Sequence, residues 1–200
     1  MGGRRPLILR LTKIAGRSIL SIFFRLRVEG LSHLPRKGGF VLLPKHQRWE
    51  DGPLLALAVP RPLHYVAKQE LFLNPLSRWF MTSLGGIPLD RKRPLQSRHS
   101  LRVMIEVLRK GEGVVVFPEG TYYPEVMGPG RKGIVRMIRS RVRVPFVPVG
   151  IRYSRKGRPR LVQVTLGRPV PGEAEMEEGA FYAAVMAEIA RLSDLEDMGS

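Results

Sequence analysis

The chain has 200 residues, 44% of them hydrophobic, which suits one globular domain with an appendage. It contains no cysteine, so disulfides, thiolate metal sites and a cysteine nucleophile are excluded, as a cytoplasmic chain allows. Thirty-four Lys and Arg face 17 acids, and eight of those acids with one base fall in residues 171–200, which leaves residues 1–170 with a net +24. Such a body attracts polyanions: nucleic acid, an anionic membrane or a phosphate-rich ligand. The competing reading of the charge is a merely arginine-rich composition of thermophilic type.

Residues 6–27 have a helical period. Leu7, Leu11, Ile14, Ala15, Ser18, Ile19 and Ile22 fall on one side, and Arg10, Lys13, Arg17 and Ser21 on the other. Leu9, Leu20, Phe23 and Phe24 widen the apolar arc. The segment predicts a basic amphipathic helix in a membrane interface, with Arg10, Lys13 and Arg17 among headgroups and Phe23 and Phe24 in the apolar layer. Plain packing on the body is the alternative. No apolar run approaches the roughly 18 residues that span a bilayer, and no leader cleavage site follows the N-terminal bases. A short strand-like stretch, residues 24–30, overlaps the helix end. The one weak boundary lies near residue 28, dividing an interfacial helix over 1–27 from a domain over 28–200.

Beyond it, residues 38–44 read as a buried strand ended by Pro44. Residues 52–60 read as a short helix with Pro53 in its start and Pro60 as its stop. A strand at 64–67, a helix opened by Asn74-Pro75 and a helix closed by Gly111 follow. Residues 113–120 form a second buried strand, and residues 132–140 a short helix. Strands over 144–153 and 160–167 come next; the prolines of the first suggest a sheet edge or end. A closing helix covers 177–192. The alternation predicts an α/β fold with a largely parallel or mixed sheet flanked by helices.

Several polar groups sit where these strands end. On a continuous helix His46 and Asp51 would lie about 140° apart around the axis, and on a strand they would face opposite ways. They meet only if residues 47–50 turn. Otherwise Asp51 is a helix cap and His46 a loop histidine. Residues 114–124 deliver Glu119, Gly120 and Thr121 to a strand tip, where Glu119 can contact a hydroxyl or a base, Gly120 permits close approach and Thr121 can hydrogen-bond. A Pro-Glu-Gly turn is the plain alternative. Asp90, Arg91, Lys92 and Arg93 form either a solvated loop or an anion site. Arg131 and Lys132 precede a helix start, a geometry suited to phosphate or simply a flexible loop. The four histidines have no metal-ligand spacing. No zinc spacing, aromatic RNA-binding motif or clear helix-turn-helix supports nucleic-acid binding.

Taken in order, these blocks resemble the glycerolipid acyltransferase family, which includes bacterial 1-acyl-glycerol-3-phosphate acyltransferases. His46 and Asp51 match its His-x4-Asp. Gly86, Ile87, Pro88 and Arg91 resemble its second block, which ends in a phosphate-binding arginine. Phe117 to Thr121 match its Phe-Pro-Glu-Gly-Thr, and Lys132-Gly133 the Lys-Gly that follows. Val144, Pro145, Val147 and Pro148 match its Val-Pro-x-Val-Pro strand. Residues 67–72 are similar to its Lys-x-Glu-Leu segment, which contains Lys68. The resemblance runs from about Val28 to Gly167. Lys45 stands where the family usually has Asn, and Tyr122 where a base often follows Glu-Gly-Thr.

The resemblance implies acyl transfer from a thioester, acyl-CoA or acyl carrier protein, to the free sn-2 hydroxyl of 1-acyl-glycerol-3-phosphate. His46 would be the general base and Asp51 its orienting carboxylate, with no covalent intermediate, metal or other cofactor. Lys68, Arg91, Glu119, Gly120, Thr121, Arg131 and Lys132 would line the substrate site. Backbone N–H groups near Gly120 or at the helix start by Pro53 are candidate oxyanion donors. The expected setting is peripheral, on the cytoplasmic face of the cell membrane, in contact with an anionic surface. Tyr122 leaves another lysolipid acceptor open. A non-enzymatic lipid- or nucleic-acid-binding domain is the alternative from a different class.

Overall fold

Apolar runs too short for a helix and too apolar for a surface pair up as central strands, and the amphipathic stretches between them cover the sheet. The computed structural model describes residues 6–90, 98–154, 156–170 and 176–195, with the side chains of 6–10, 13 and 14 also outside the described set. The elements are α1 (Pro6–Phe23), β1 (Phe24–Glu29), β2 (Phe40–Pro44), α2 (Asp51–Ala58), β3 (Leu63–Lys68), α3 (Pro75–Ser83), β4 (Gly86–Leu89), α4 (Arg98–Arg109), β5 (Gly113–Val115), α5 (Lys132–Arg139), β6 (Phe146–Tyr153), β7 (Arg160–Leu166) and α6 (Glu178–Ser193). Short 3-10 turns cover Leu31–His33 and Gln69–Phe72.

One seven-stranded sheet has the order β1-β7-β6-β2-β5-β3-β4. Every pairing is parallel except β6 with β7. β2 lies at the centre, between β6 (Val41 opposite Phe146) and β5 (Phe40 opposite Gly113), and all five of its residues are buried. β1 and β7 therefore run against the other five strands.

The connections set the layers. From β2 through α2 to β3, and through α3 to β4, the chain steps one way along the sheet; through α4 and α5 it steps back. Right-handed crossovers then put α2 and α3 on one face and α4 and α5 on the other. The side chains agree. Val41, Leu43 and Ile87 pack with Met104, Ile138 and Phe181, whereas Phe40, Leu42 and Val115 pack with Leu54 and Leu55 of α2 and Leu20 of α1. Gly86 faces α3 so closely that a Cβ would lie 2.8 Å from the Met81 carbonyl oxygen.

Three expectations change. The N-terminal helix ends at Phe23, because residues 24–27 join the sheet as β1, with Phe24 opposite Arg160. Their burial alternates, Phe24 and Leu26 inward and Arg25 and Arg27 outward, the period of a strand. Phe24 is thus a sheet residue, its ring 6.1 Å from Tyr153 in an edge contact, and not part of a membrane-facing helix. The proline-bearing strand β6 is interior, not at an edge. Pro148 cannot donate to the facing Gly167, but the pairing persists there, because the Pro148 carbonyl accepts from Gly167 N at 2.8 Å and Phe146 exchanges hydrogen bonds with Val170 nearby. Residues 86–89, to which the sequence assigned no strand, form the edge strand β4, where Pro88 is tolerated. No described helix is long and apolar enough to cross a membrane.

Close contact of β6 with α6 depends on Gly150. A Cβ there would sit 2.3 Å from the Leu192 carbonyl oxygen, whereas one at Gly16 on α1 meets nothing within 4 Å. Gly150→Ala should lower stability by about 1–3 kcal/mol through overpacking against backbone. Gly16→Ala should be neutral or stabilising by about 0.5–1 kcal/mol. Chemical denaturation of both variants measures the difference.

Candidate active site

The parallel strands deliver their polar tips to one end of the sheet. His46 follows β2, Glu119 follows β5, Lys68 ends β3 and Tyr153 ends β6. Antiparallel β1 starts at this same end. An α/β sheet forms its sites where parallel strands finish, because the chain there leaves the ladder with free backbone groups and side chains diverge into loops.

Residues 47–50 turn, and the turn brings His46 and Asp51 together. His46 Nδ1 lies 3.1 Å from Asp51 Oδ2. The same oxygen accepts Gln47 N at 2.6 Å and Arg48 N at 2.7 Å, while Oδ1 accepts the Tyr153 hydroxyl at 2.7 Å. Asp51 is wholly buried as the first residue of α2, where a helix N-terminus also favours negative charge. Four donors on a buried carboxylate hold it in one place. It can therefore hold the imidazole with Nδ1 as the N–H donor. Nε2 has no hydrogen-bond partner among the described residues and is the nitrogen left for chemistry. Burial and the charge of Asp51 push the Tyr153 phenol pKa up, so Tyr153 stays a donor.

The imidazole is also fixed by its faces. Phe117 stacks on it, with centroids 3.8 Å apart, and Tyr122 tilts against it at 4.3 Å. Tyr122 thus occupies the space beside His46, with half its surface exposed.

Behind the histidine lies an ion pair that the sequence did not reveal. Lys45 is fully buried, and its Nζ donates to Glu119 Oε1 at 2.7 Å, Glu119 Oε2 at 2.9 Å, the Tyr123 carbonyl at 2.7 Å and the His46 carbonyl at 3.3 Å. Glu119 Oε2 accepts His46 N at 2.8 Å, and Oε1 accepts Gly128 N at 2.7 Å. Tyr123 N donates to the His46 carbonyl at 2.9 Å. Burial lowers the Lys45 pKa, and the hydrogen bond and charge of Glu119 oppose that shift. Glu119 was expected to position an acceptor. Its carboxylate is instead enclosed and occupied by protein donors, so its work is to hold His46 and the loop after β5.

The remaining candidates lie nearer the surface. Gly120 has φ 70°, and the Arg131 side chain crosses it so closely that a Cβ would meet Arg131 Cδ at 2.8 Å. Arg131 N donates to the Pro118 carbonyl at 2.8 Å, which ties the start of α5 to the Glu-Gly-Thr turn. Thr121 is half-buried, and Lys68 is exposed at the end of β3. Lys132 is exposed with its ammonium 5.8 Å from the Tyr182 ring. Arg17 and Phe23 are exposed on α1. Arg91 and the side chains of Arg10 and Lys13 lie outside the described residues.

Sequence reading missed Lys45, Gln47, Phe117, Tyr123 and Tyr153 as parts of the site. One signal for Lys45 was available. A lysine ending a fully apolar strand needs a buried acid, and Glu119 ends the neighbouring one. Gln47 bridges the Ile151 carbonyl at 2.6 Å and Glu125 N at 2.9 Å, a contact across residues about a hundred apart that no local pattern marks.

Comparison with known proteins agrees with this geometry. A family model described as acyltransferase matches residues 25–152. The 1-acyl-sn-glycerol-3-phosphate acyltransferase of Bacillus subtilis (strain 168) is 32% identical over 160 residues, covering 76% of this chain and 77% of the relative. A lyso-ornithine lipid O-acyltransferase of Pseudomonas aeruginosa is 31% identical over 156 residues, covering 77% of this chain and 58% of the relative. The crystal structure of the 1-acyl-sn-glycerophosphate (LPA) acyltransferase PlsC from Thermotoga maritima matches with a TM-score of 0.74 at 26% identity, covering 93% of this chain and 78% of that one. With the family model matching well over half its length around a His46–Asp51 pair at the sheet end, this chain belongs to the acyltransferase family.

Proposed function

We propose that the protein transfers an acyl group from an acyl thioester to the free sn-2 hydroxyl of 1-acyl-glycerol-3-phosphate, forming phosphatidic acid. The observation that carries this is the His46–Asp51 pair, oriented by a buried carboxylate and open at Nε2, in a chain whose relatives include 1-acyl-sn-glycerol-3-phosphate acyltransferases. An alcohol is a poor nucleophile at neutral pH. In this reading His46 Nε2 takes the hydroxyl proton as the oxygen attacks the thioester carbonyl, and Asp51 stabilises the imidazolium. Collapse of the tetrahedral adduct breaks the C–S bond, and the imidazolium returns its proton to the departing thiolate. Acyl-CoA and acyl carrier protein both supply the required thioester, and both are acidic partners for a basic body. The donor chemistry needs no further cofactor.

The acceptor phosphate needs cations. Arg131 crosses Gly120 and brings its guanidinium to the Glu-Gly-Thr turn, close in the chain to the position where the family often has a base and this chain has Tyr122. Lys68 and Arg91 are further proposed contacts, with Gly120 and Thr121 supplying the turn and Lys132 the edge of the site. A second reading, transfer to a different lysolipid, is favoured by Tyr122 itself and by the similarity to a lyso-ornithine lipid O-acyltransferase. An interfacial role for α1 on the anionic cytoplasmic face of the membrane suits an acceptor and product that reside in a bilayer. Exposed Ile19, Ile22 and Phe23 beside Arg17 support it.

Two variants test the reading by thiol release from acyl-CoA, and two more test the buried pair behind His46 by denaturation. His46→Ala should lower kcat about 10²- to 10⁴-fold with the fold intact; retained turnover would refute the base assignment. Arg131→Ala should raise KM for lysophosphatidate at least about tenfold with a smaller change in kcat, since it removes a charged contact made in ground and transition states alike. An unchanged KM would assign the phosphate to other cations. A panel that adds lyso-ornithine lipid separates the two acceptor readings. Lys45→Met leaves Glu119 buried and unpaired, and denaturation should show a loss of about 3–5 kcal/mol. Adding Glu119→Gln should recover part of that stability, because the buried charge is gone; a strictly additive loss would show that the pair acts as two independent groups.

A further inference from the structure

We propose that the sheet end carrying His46 is itself a membrane-contact surface, in which α3 and the turn before α2 enter an anionic bilayer interface alongside α1. The inference rests on the lipid acyl-transfer reading above and extends it to how the acceptor is reached.

Helix α3 is amphipathic the wrong way round for water. Leu76, Trp79 and Phe80 stand at i, i+3 and i+4, so they form one stripe, and all three are exposed: 73%, 45% and 42%. A surface helix normally turns such a stripe to the core. The core side of α3 is taken up by its close approach to β4 at Gly86 and by buried Ser83. Trp49, in the turn between His46 and Asp51, is 66% exposed. Monomeric proteins seldom leave such apolar surface in water without a use for it.

Topology brings these groups to a common side. Helices α1, α2 and α3 cover one face of the sheet. Because β1 runs against β2, α1 finishes at the end of the sheet where His46 sits, with Ile22 and Phe23 exposed in its last turn. Phe24 then contacts Tyr153, which bonds to Asp51. The seat of α1 and the catalytic pair therefore share one set of contacts.

The chemistry of the surface selects its occupant. Tryptophan prefers the headgroup boundary, where its ring is buried and its N–H stays wet, and the two exposed tryptophans are the only two in the chain. Exposed Arg78 lies on α3 itself and exposed Lys68 ends β3, on a body of net +24 over residues 1–170. Basic groups beside aromatic and aliphatic ones fit an anionic lipid surface. A second copy of this chain is disfavoured, since it would bring one +17 protein against another. Seated this way, exposed Trp49 and the Tyr122 ring that tilts against His46 meet the headgroup layer, and the acceptor reaches His46 without leaving the bilayer.

The two tryptophans allow a direct test on the full chain. Trp49→Phe leaves Trp79 as the sole indole, and Trp79→Phe leaves Trp49. Each is mixed with phosphatidylglycerol vesicles, with and without acyl-chain bromination, and with phosphatidylcholine vesicles. Both indoles should shift to the blue and be quenched by the brominated anionic lipid, less so at high salt or on phosphatidylcholine. Leu76→Ser/Phe80→Ser should weaken vesicle partitioning about tenfold with unchanged circular dichroism, while turnover of a water-soluble short-chain acceptor stays at the wild-type level. If the chain sediments with vesicles while Trp79 neither shifts nor is quenched, α1 docks alone and the proposal fails. A Trp79 response to acyl carrier protein with none to vesicles would assign the face to a protein partner and also overturn it. Quenching without acyl transfer to any lysolipid would refute the enzymatic reading and leave the membrane surface standing.

Discussion

A buried ammonium is stable only inside a shell of oxygens, and the shell around Lys45 decides where the rest of the site can be. It draws on the strand end after β2, on Glu119 after β5 and on the carbonyls of His46 and Tyr123. Once Glu119 is drawn in to neutralise the charge, its carboxylate also holds His46 N and Gly128 N. Two segments distant in sequence, residues 45–46 and 119–128, are thereby held to one register. Such a pair adds little to stability over an apolar substitute, but removing one partner strands a buried charge, so the arrangement is strongly selective for one geometry.

The histidine is consequently held on every side except at Nε2, the nitrogen proposed to react. Its backbone is bound in front and behind, its Nδ1 faces a carboxylate with four donors, and its faces meet Phe117 and Tyr122. Preorganisation of this kind lowers a barrier because no group has to be reoriented as charge develops on the imidazole. Tyr153 extends the frame to β1 through Phe24, and its ring also lies 5.2 Å from the Arg48 guanidinium. Changes at the seat of α1 therefore reach Asp51 through two contacts.

The two helical layers differ in purpose. The face with α4, α5 and α6 buries its apolar side chains in a conventional core, whereas the face with α1, α2 and α3 leaves several of them outside. In the proposed reading, a substrate that dissolves in a bilayer calls for one surface that water does not satisfy, and the asymmetry between the layers fits that need.

Much of this was legible in the chain of residues alone. Apolar runs ending in Pro44 and Phe117-Pro118 marked strands β2 and β5, Asn74-Pro75 marked a helix start, and the ordered blocks pointed to the acyltransferase family, because these signals are local and depend on spacing or backbone preference. The meeting of His46 with Asp51 was legible only as a condition, that residues 47–50 turn. What tertiary structure alone decided was pairing across distance. Glu119 turned from substrate toward Lys45, Phe24 left the helix for the sheet, β6 took an interior place despite Pro148, and Tyr153 came to Asp51. Local sequence specifies how a segment curls and which side is apolar. Which buried charge finds which partner depends on strand order, and strand order is set by the packing of the whole sheet.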